Sequence, residues 1–289
     1  MAEIRAKDTR TILLKILLYI IMTVFVVLAV YPILWLILQS FKTSQDYLRM
    51  NKLALPTNWY TGNYPFVWMA GHFERLIPNS ILYTAVSVIC IILFGFMAGF
   101  AFARIPSRAT RFLYGSFIIG ILLSIQSLMI PLFLLINFVG LYNTRLGVVI
   151  PYIGIGLSIG VYLGTAYMRG IPQELVDIAR IDGAGYLKIF FLVILPLSAP
   201  AAVTVALLTG FSVMYGGLWN EYIFVDIITQ SNRLKSLAVG ITWFSPYWIA
   251  SYYGRHFAAL VIGLVPSALF YFVFRKQITK GVIGGSFSG

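Results

Sequence analysis

Residues 16–41, 76–103, 112–144, 146–168, 189–220 and 256–274 contain no Asp, Glu, Lys or Arg. A helix crossing the hydrocarbon core of a bilayer needs about 20 apolar residues (range about 17–25), so each run can hold one crossing. A Lys or Arg at the centre of such a span costs about 2.5–3.5 kcal/mol, which gives the edges of the runs physical meaning. Two runs, 112–144 and 189–220, are longer than one span requires; Pro131 divides the first, and Pro196 and Pro200 mark the start of the crossing in the second. The expected spans are 14–38, 79–103, 112–134, 146–168, 199–220 and 256–274, with a loop at about 169–198 and a tail at 275–289. The expected fold is all-α and integral to a membrane, one transmembrane domain over 1–289 with six helices.

Composition points the same way. The chain is 60% hydrophobic and 10% charged, with mean hydropathy +0.89, whereas a soluble domain carries about a quarter charged residues. Lipid must therefore cover part of the surface. The net charge of +12 does not imply nucleic acid, because the basic residues lie between the apolar runs instead of forming one stripe. Cys90 is the sole cysteine, which leaves no disulfide within the chain, no Cys-pair redox chemistry and no Cys-based zinc site. The basic N-terminus (Arg5, Lys7, Arg10, Lys15) precedes an apolar run too long for a signal-peptide core and without a clear small-x-small cleavage site. It is expected to be a retained first span.

With the N-terminus inside, the inner segments hold 13 basic residues and the outer segments 8. This excess favours both termini in the cytoplasm. The outer segment 39–78 is rich in Trp, Tyr, Pro and Asn. Trp35, Trp59, Tyr60, Tyr64 and Trp68 suit an interfacial belt, a docking surface for an external partner, or both. Gly156, Gly160 and Gly164 fall at four-residue spacing on one helix face, and Gly95 and Gly99 give the second span a shorter version. In lipid, such bare faces let another backbone approach closely.

The most informative segment is Ile171–Pro200. Pro172 suits a first helical turn, where its missing N–H costs nothing, and Glu174 and Asp177 complement the positive end of the helix dipole. Leu175, Ile178, Ala179 and Ile181 supply an apolar face. Asp182-Gly183 breaks the helix, since glycine tolerates the left-handed conformation, and a second helix starts near Tyr186. The expectation is two short helices joined at a glycine elbow along the membrane surface, with an apolar face that must be buried against something else.

This segment resembles the EAA loop of binding-protein-dependent ABC importer permeases. The family pattern runs Glu-Ala-Ala, three residues, Gly, nine residues, a β-branched aliphatic, any residue, Leu-Pro. Here it runs Asp177-Ile178-Ala179, Gly183, Val193, Leu195-Pro196, with the spacing intact and Asp, Ile and Val as departures. Ile171-Pro-x-Glu-Leu and Ile181-Asp-Gly-Ala match the sugar-uptake branch, similar to the maltose-transporter permeases. Asn79-Ser80, Ala101-Phe-Ala-Arg104, Gly140-Leu-Tyr-Asn-Thr144 and Trp219-Asn-Glu-Tyr222 are also close to the family's wording, so the resemblance covers nearly the whole chain.

The resemblance implies a permease subunit of the bacterial or archaeal cytoplasmic (inner) membrane. It implies a second, homologous permease forming a heterodimer, two ABC ATPase subunits, an extracytoplasmic solute-binding protein and a carbohydrate substrate. The elbow would act as a coupling helix on the ATPase through Glu174, Leu175, Asp177, Ile178, Ala179, Asp182, Gly183 and Ala184. The Gly-rich end, with Gly281, Gly284 and Gly285, resembles a tail that reaches between the ATPases; a frayed terminus is the other reading. The chain lacks GxxxxGK[ST], HExxH and G-x-S-x-G motifs. It is therefore expected to be no enzyme, with no catalytic or metal-binding residues and no cofactor of its own, ATP and magnesium belonging to the partner ATPase. Polar and aromatic residues inside the spans that could line a substrate path are Gln126, Asn137, Tyr152, Tyr215, Trp219 and Asn220. A self-contained secondary transporter or channel and an importer permease for a non-sugar solute are the alternatives.

Overall fold

The computed structural model describes residues 2–49, 51–211, 217–245 and 252–286, and among the described residues every regular element is helical. In chain order they are α1 (Ala2–Ser40), α2 (Ser44–Arg49), α3 (Asn63–Ala70), α4 (Phe73–Arg104), α5 (Arg108–Gly120), α6 (Met129–Phe138), α7 (Arg145–Arg169) and α8 (Gln173–Ile181). There follow α9 (Tyr186–Ile189), a π-helical turn (Phe190–Ile194), α10 (Leu195–Leu197), α11 (Ala199–Gly210), α12 (Ile223–Ile228), a 3₁₀ turn (Asn232–Leu234), α13 (Leu237–Thr242) and α14 (Tyr253–Ser286).

The described residues form two compact units, one from 1–71 and 243–262, the other from 72–242 and 263–289. In the first, α1 exposes apolar side chains on every face from Ile16 to Leu34, the pattern of a helix solvated by lipid or by other spans. Its end is tied into the connection that follows. Asn63 Nδ2 donates to the carbonyls of Ser40 and Lys42 at 2.8 and 2.9 Å, and Trp35 Nε1 donates to the Lys52 carbonyl at 3.1 Å. Tyr47 stacks on Tyr253 at 4.7 Å, and the Arg255 guanidinium lies 3.7 Å from the centre of the Phe66 ring. Trp59 and Trp68 remain exposed.

The second unit is built on the crossing of α4 and α7, and the glycines make it possible. A Cβ added at Gly95 would lie 2.9 Å from the Gly160 carbonyl carbon, and one at Gly99 2.9 Å from the Thr165 nitrogen. One at Gly156 would lie 2.2 Å from Ile91 Cδ1, and one at Gly164 2.8 Å from Phe96 Cδ1. The two backbones are in direct contact along both glycine stripes, the close packing expected of small residues in lipid.

Among the described residues, four helices are long and apolar enough to cross a bilayer: Leu14–Ser40 within α1, α4, α7 and Tyr253–Arg275 within α14. One further pair of helices is apolar and long enough only when the two are taken together across a bend. Tyr186–Leu197 and Ala199–Gly210 meet at an angle of 75°. Pro200 lacks the N–H that would bond the Pro196 carbonyl across Ser198, and Pro196 lacks the one that would reach back to Leu192. The π-helical turn ends at Ile194, just before Leu195-Pro196, with Leu195 N–H bonded to the Phe190 carbonyl. That wider register accommodates the proline ring.

The expected third span, 112–134, is not one helix. It is divided into α5 and α6, of 13 and 10 residues, each too short for a hydrocarbon core of about 30 Å. The residues between them form successive turns, with Ile121, Leu122 and Leu123 bonding back three residues and Ser124 Oγ accepting the Ser127 N–H. Pro131 lies in the first turn of α6, where no donor is needed. The proline that divides the run in sequence thus marks a new helix start. The expected span 199–220 is likewise shorter as helix, since α11 stops at Gly210.

Candidate functional site

Connection 170–198 joins α7 to α11 and forms the expected elbow. In α8, Val176 is 1% exposed and Ala179 packs beside it, both against a cluster that includes Phe100, Met168, Ile171, Ile189 and Phe190. The neighbouring stripe points away: Leu175, Ile178 and Ile181 are exposed, Ile181 at 85%. One short helix therefore carries two apolar stripes, one consumed by its own subunit and one left uncovered. Glu174, Asp177 and Asp182 lie on the exposed side as well.

The helix stops where Gly183 takes φ +78°. Gly183 N–H bonds to the Arg180 carbonyl and Ala184 N–H to the Ala179 carbonyl, both at 2.9 Å. This is the paired closure of a Schellman stop, which requires a left-handed residue at that position. Ala184 is half-buried against the same cluster as Val176. The Arg180 guanidinium lies 4.6 Å from the centre of the Tyr186 ring and donates to its hydroxyl, bridging the elbow.

At the other side of the elbow, Arg104 ends α4. Its Nη1 donates to Gln173 Oε1 at 2.8 Å, and its Nη2 to the carbonyls of Met168 and Ile171 at 2.9 and 2.5 Å. Gln173 Nε2 in turn donates to Asp177 Oδ1 at 3.0 Å.

A second polar cluster closes on segment 221–237. The Glu221 carboxylate accepts the N–H groups of Phe224 at 2.9 Å and Val225 at 3.3 Å, capping α12. It also accepts the Tyr152 hydroxyl of α7 at 3.1 Å. Asn143 has φ +57°, and its Oδ1 accepts the N–H groups of Gln230 and Ser231, both at 2.9 Å. From α4, Asn79 Nδ2 donates to the carbonyls of Arg233 and Lys235, Tyr83 donates to that of Leu234, and Ser80 Oγ accepts the Leu237 N–H. Lys235 Nζ, buried, meets Asp226 Oδ1 at 2.7 Å. Asn79-Ser80, Asn143 and Glu221, which the sequence offers as separate words, form one clasp on one segment.

The described residues considered for a substrate path lie on separate elements and turns. Gln126 is exposed in the turn before α6, and Asn137 is exposed on α6 with its amide bonded to the Phe133 carbonyl. Tyr152 is buried against Glu221 and Phe224. Trp219 is buried with its ring stacked 5.8 Å from Phe211, while the exposed Asn220 donates to the Phe211 carbonyl at 3.3 Å. Tyr215 lies outside the described residues. A groove of about 480 Å³ does lie beside α5, α6 and α7. Its lining, with Leu128, Leu132, Ile136, Ile150 and Pro151, is almost wholly apolar and offers no set of donors for hydroxyls. The backbone of Gly281, Gly284 and Gly285 continues α14 to Ser286.

Residues 91–283 match the family described as the binding-protein-dependent transport system inner membrane component. The chain is 32% identical to a putative ABC transporter permease protein (ORF2) of Caldicellulosiruptor sp., over 94% of this chain and 96% of that one. It is 28% identical to the diacetylchitobiose uptake system permease protein NgcG of Streptomyces coelicolor, over 90% and 85% of the two chains. Its fold is similar to a chain in the crystal structure of a bacterial ABC transporter involved in import of the acidic polysaccharide alginate. There the TM-score is 0.74 with 22% identity, covering 92% of this chain and 96% of that one.

Proposed function

Because the chain belongs to the binding-protein-dependent inner membrane components, multi-pass transport subunits that work with an ATPase and a solute-binding protein, we propose that it is a carbohydrate-importing permease driven through α8. The observation that carries this reading is the uncovered stripe Leu175, Ile178 and Ile181 on a helix whose opposite stripe is locked into the core. An apolar stripe facing water without a covering segment is a protein contact surface. The Schellman stop at Gly183 and the buried Val176 make α8 a rigid lever, as transmission of an ATPase movement requires. In this reading Glu174, Asp177 and Asp182 rim the ATPase contact, and Ala179 and Ala184 hold the elbow against the spans.

The chain would pair with a second, homologous permease and two ATPase copies. It would bind neither ATP nor magnesium itself, and both termini would lie in the cytoplasm. A carbohydrate substrate is supported by the uptake systems to which relatives such as the diacetylchitobiose permease belong. The end of α14 carrying Gly281, Gly284 and Gly285 would reach the ATPases.

The test replaces the uncovered stripe and leaves the buried one intact. Ile178→Asp with Ile181→Asp is expected to lower co-purification of ATPase subunits at least about tenfold, equivalent to about 1.4 kcal/mol, while the chain still accumulates in membranes. Unchanged ATPase retention would contradict the reading. Oligosaccharides presented with the solute-binding protein to the intact complex should stimulate its ATP hydrolysis.

A further inference from the structure

We propose that Arg104 is a positioning residue that fixes the azimuth of α8 to two membrane spans at once, so that α4, α7 and the coupling helix move as one body. This rests on the reading of α8 as the ATPase lever.

The guanidinium reaches three acceptors from three places in the chain: the Met168 carbonyl in the last turn of α7, the Ile171 carbonyl in the connection, and the Gln173 side chain at the start of α8. The first of these is among the last four carbonyls of α7, which lack the regular helical donor four residues on, and the Ile171 N–H reaches it only at 3.3 Å. Those carbonyls also form the negative end of the helix dipole, where a cation is favoured. A planar fork of donors can serve several such acceptors together. A lysine ammonium on a flexible stem is a point charge without that fixed geometry.

The apolar anchors Val176 and Ala179 hold α8 down but are non-directional, so alone they permit it to roll. Hydrogen bonds supply the missing direction. From Gln173 the connection continues to Asp177, on the exposed side of α8. A continuous polar chain thus runs from the end of α4 through Arg104 and Gln173 to the side of the lever that would face the ATPase.

The test places nitroxide labels at Ile105→Cys and Ile181→Cys, both exposed positions, in the full chain with Cys90→Ala. Distance distributions are measured in membranes for Arg104→Lys, Arg104→Ala and Gln173→Ala. The parent should give one narrow distribution. Both Arg104 variants should broaden it about twofold or more, as a lost directional contact allows, and Gln173→Ala should broaden it less.

This measurement needs no ATPase, so a failure of the ATPase reading appears separately, as parent chain that retains no such subunit. In the intact complex, Arg104→Lys should keep subunit stoichiometry and basal ATP hydrolysis while lowering transport per ATP by about tenfold. Parental distribution widths in Arg104→Lys and Gln173→Ala, or an unchanged transport-to-ATP ratio in Arg104→Lys, would overturn the proposal. Gln173 is exposed, so its variant remains informative even where Arg104→Ala fails to accumulate.

Discussion

Glu221 joins the start of α12 to α7 through two backbone N–H groups and the Tyr152 hydroxyl. Removing the carboxylate would strand buried donors, and an unsatisfied buried polar group costs about 1–3 kcal/mol. Glu221→Ala should therefore destabilise the subunit by about 2–4 kcal/mol, and Tyr152→Phe by about 1 kcal/mol. Glu221→Gln, which keeps an acceptor, should fall between them. Thermal unfolding of the purified complex checks the order, and equal melting temperatures across the series would remove the clasp from the account. The same residues show where sequence runs out. Tyr152, Trp219 and Asn220 have the chemistry that grips a sugar, yet Tyr152 holds Glu221, the Trp219 ring lies against Phe211, and Asn220 satisfies the Phe211 carbonyl. Residue type gives the capacity for a hydrogen bond. Only the fold decides whether a ligand or a helix end receives it.

Among the elements, α4 and α7 were the most legible, because spacing alone carried the information. Glycines at intervals of four form a bare stripe on any helix, and in the structure Gly95 and Gly160 bring the two backbones together. Gly160→Leu and Gly95→Leu should each cost about 1–3 kcal/mol or more, the range for forcing bulk into a packed contact. Gly154 lies on the same helix, and a Cβ there would meet nothing within 4 Å. Gly154→Ala should therefore be neutral or slightly stabilising, and detergent-resistance assays of the three variants should separate them. A similar loss in Gly154→Ala would show that the stripe has no special role. The elbow was legible for the same reason: Gly183 stands where a left-handed stop is needed, and the structure places φ +78° there. The third and fifth expected spans were less so. A count of charge-free residues measures apolar length and is blind to hydrogen-bond continuity. It therefore passed over the turns at 121–128 and the bend at Ser198, where Pro196 and Pro200 interrupt the ladder. The clasp on 221–237 was invisible as a unit, because its parts are separated by as many as 157 residues.

At the scale of the whole molecule, this chain is one part of a larger binding-protein-dependent transport system. It supplies spans, the elbow at 170–198 and an uncovered apolar stripe on α8, and it leaves ATP hydrolysis to another subunit. Family membership rests on residues 91–283, and similarity extends over nearly the whole of the Caldicellulosiruptor permease. The most direct measurement of the central claim is gentle purification of the tagged chain from its native membrane, followed by identification of every associated subunit with its stoichiometry. One second permease and two ATPase copies are expected for each tagged chain. Recovery of the chain alone, in a preparation that still transports without ATP, would contradict that claim.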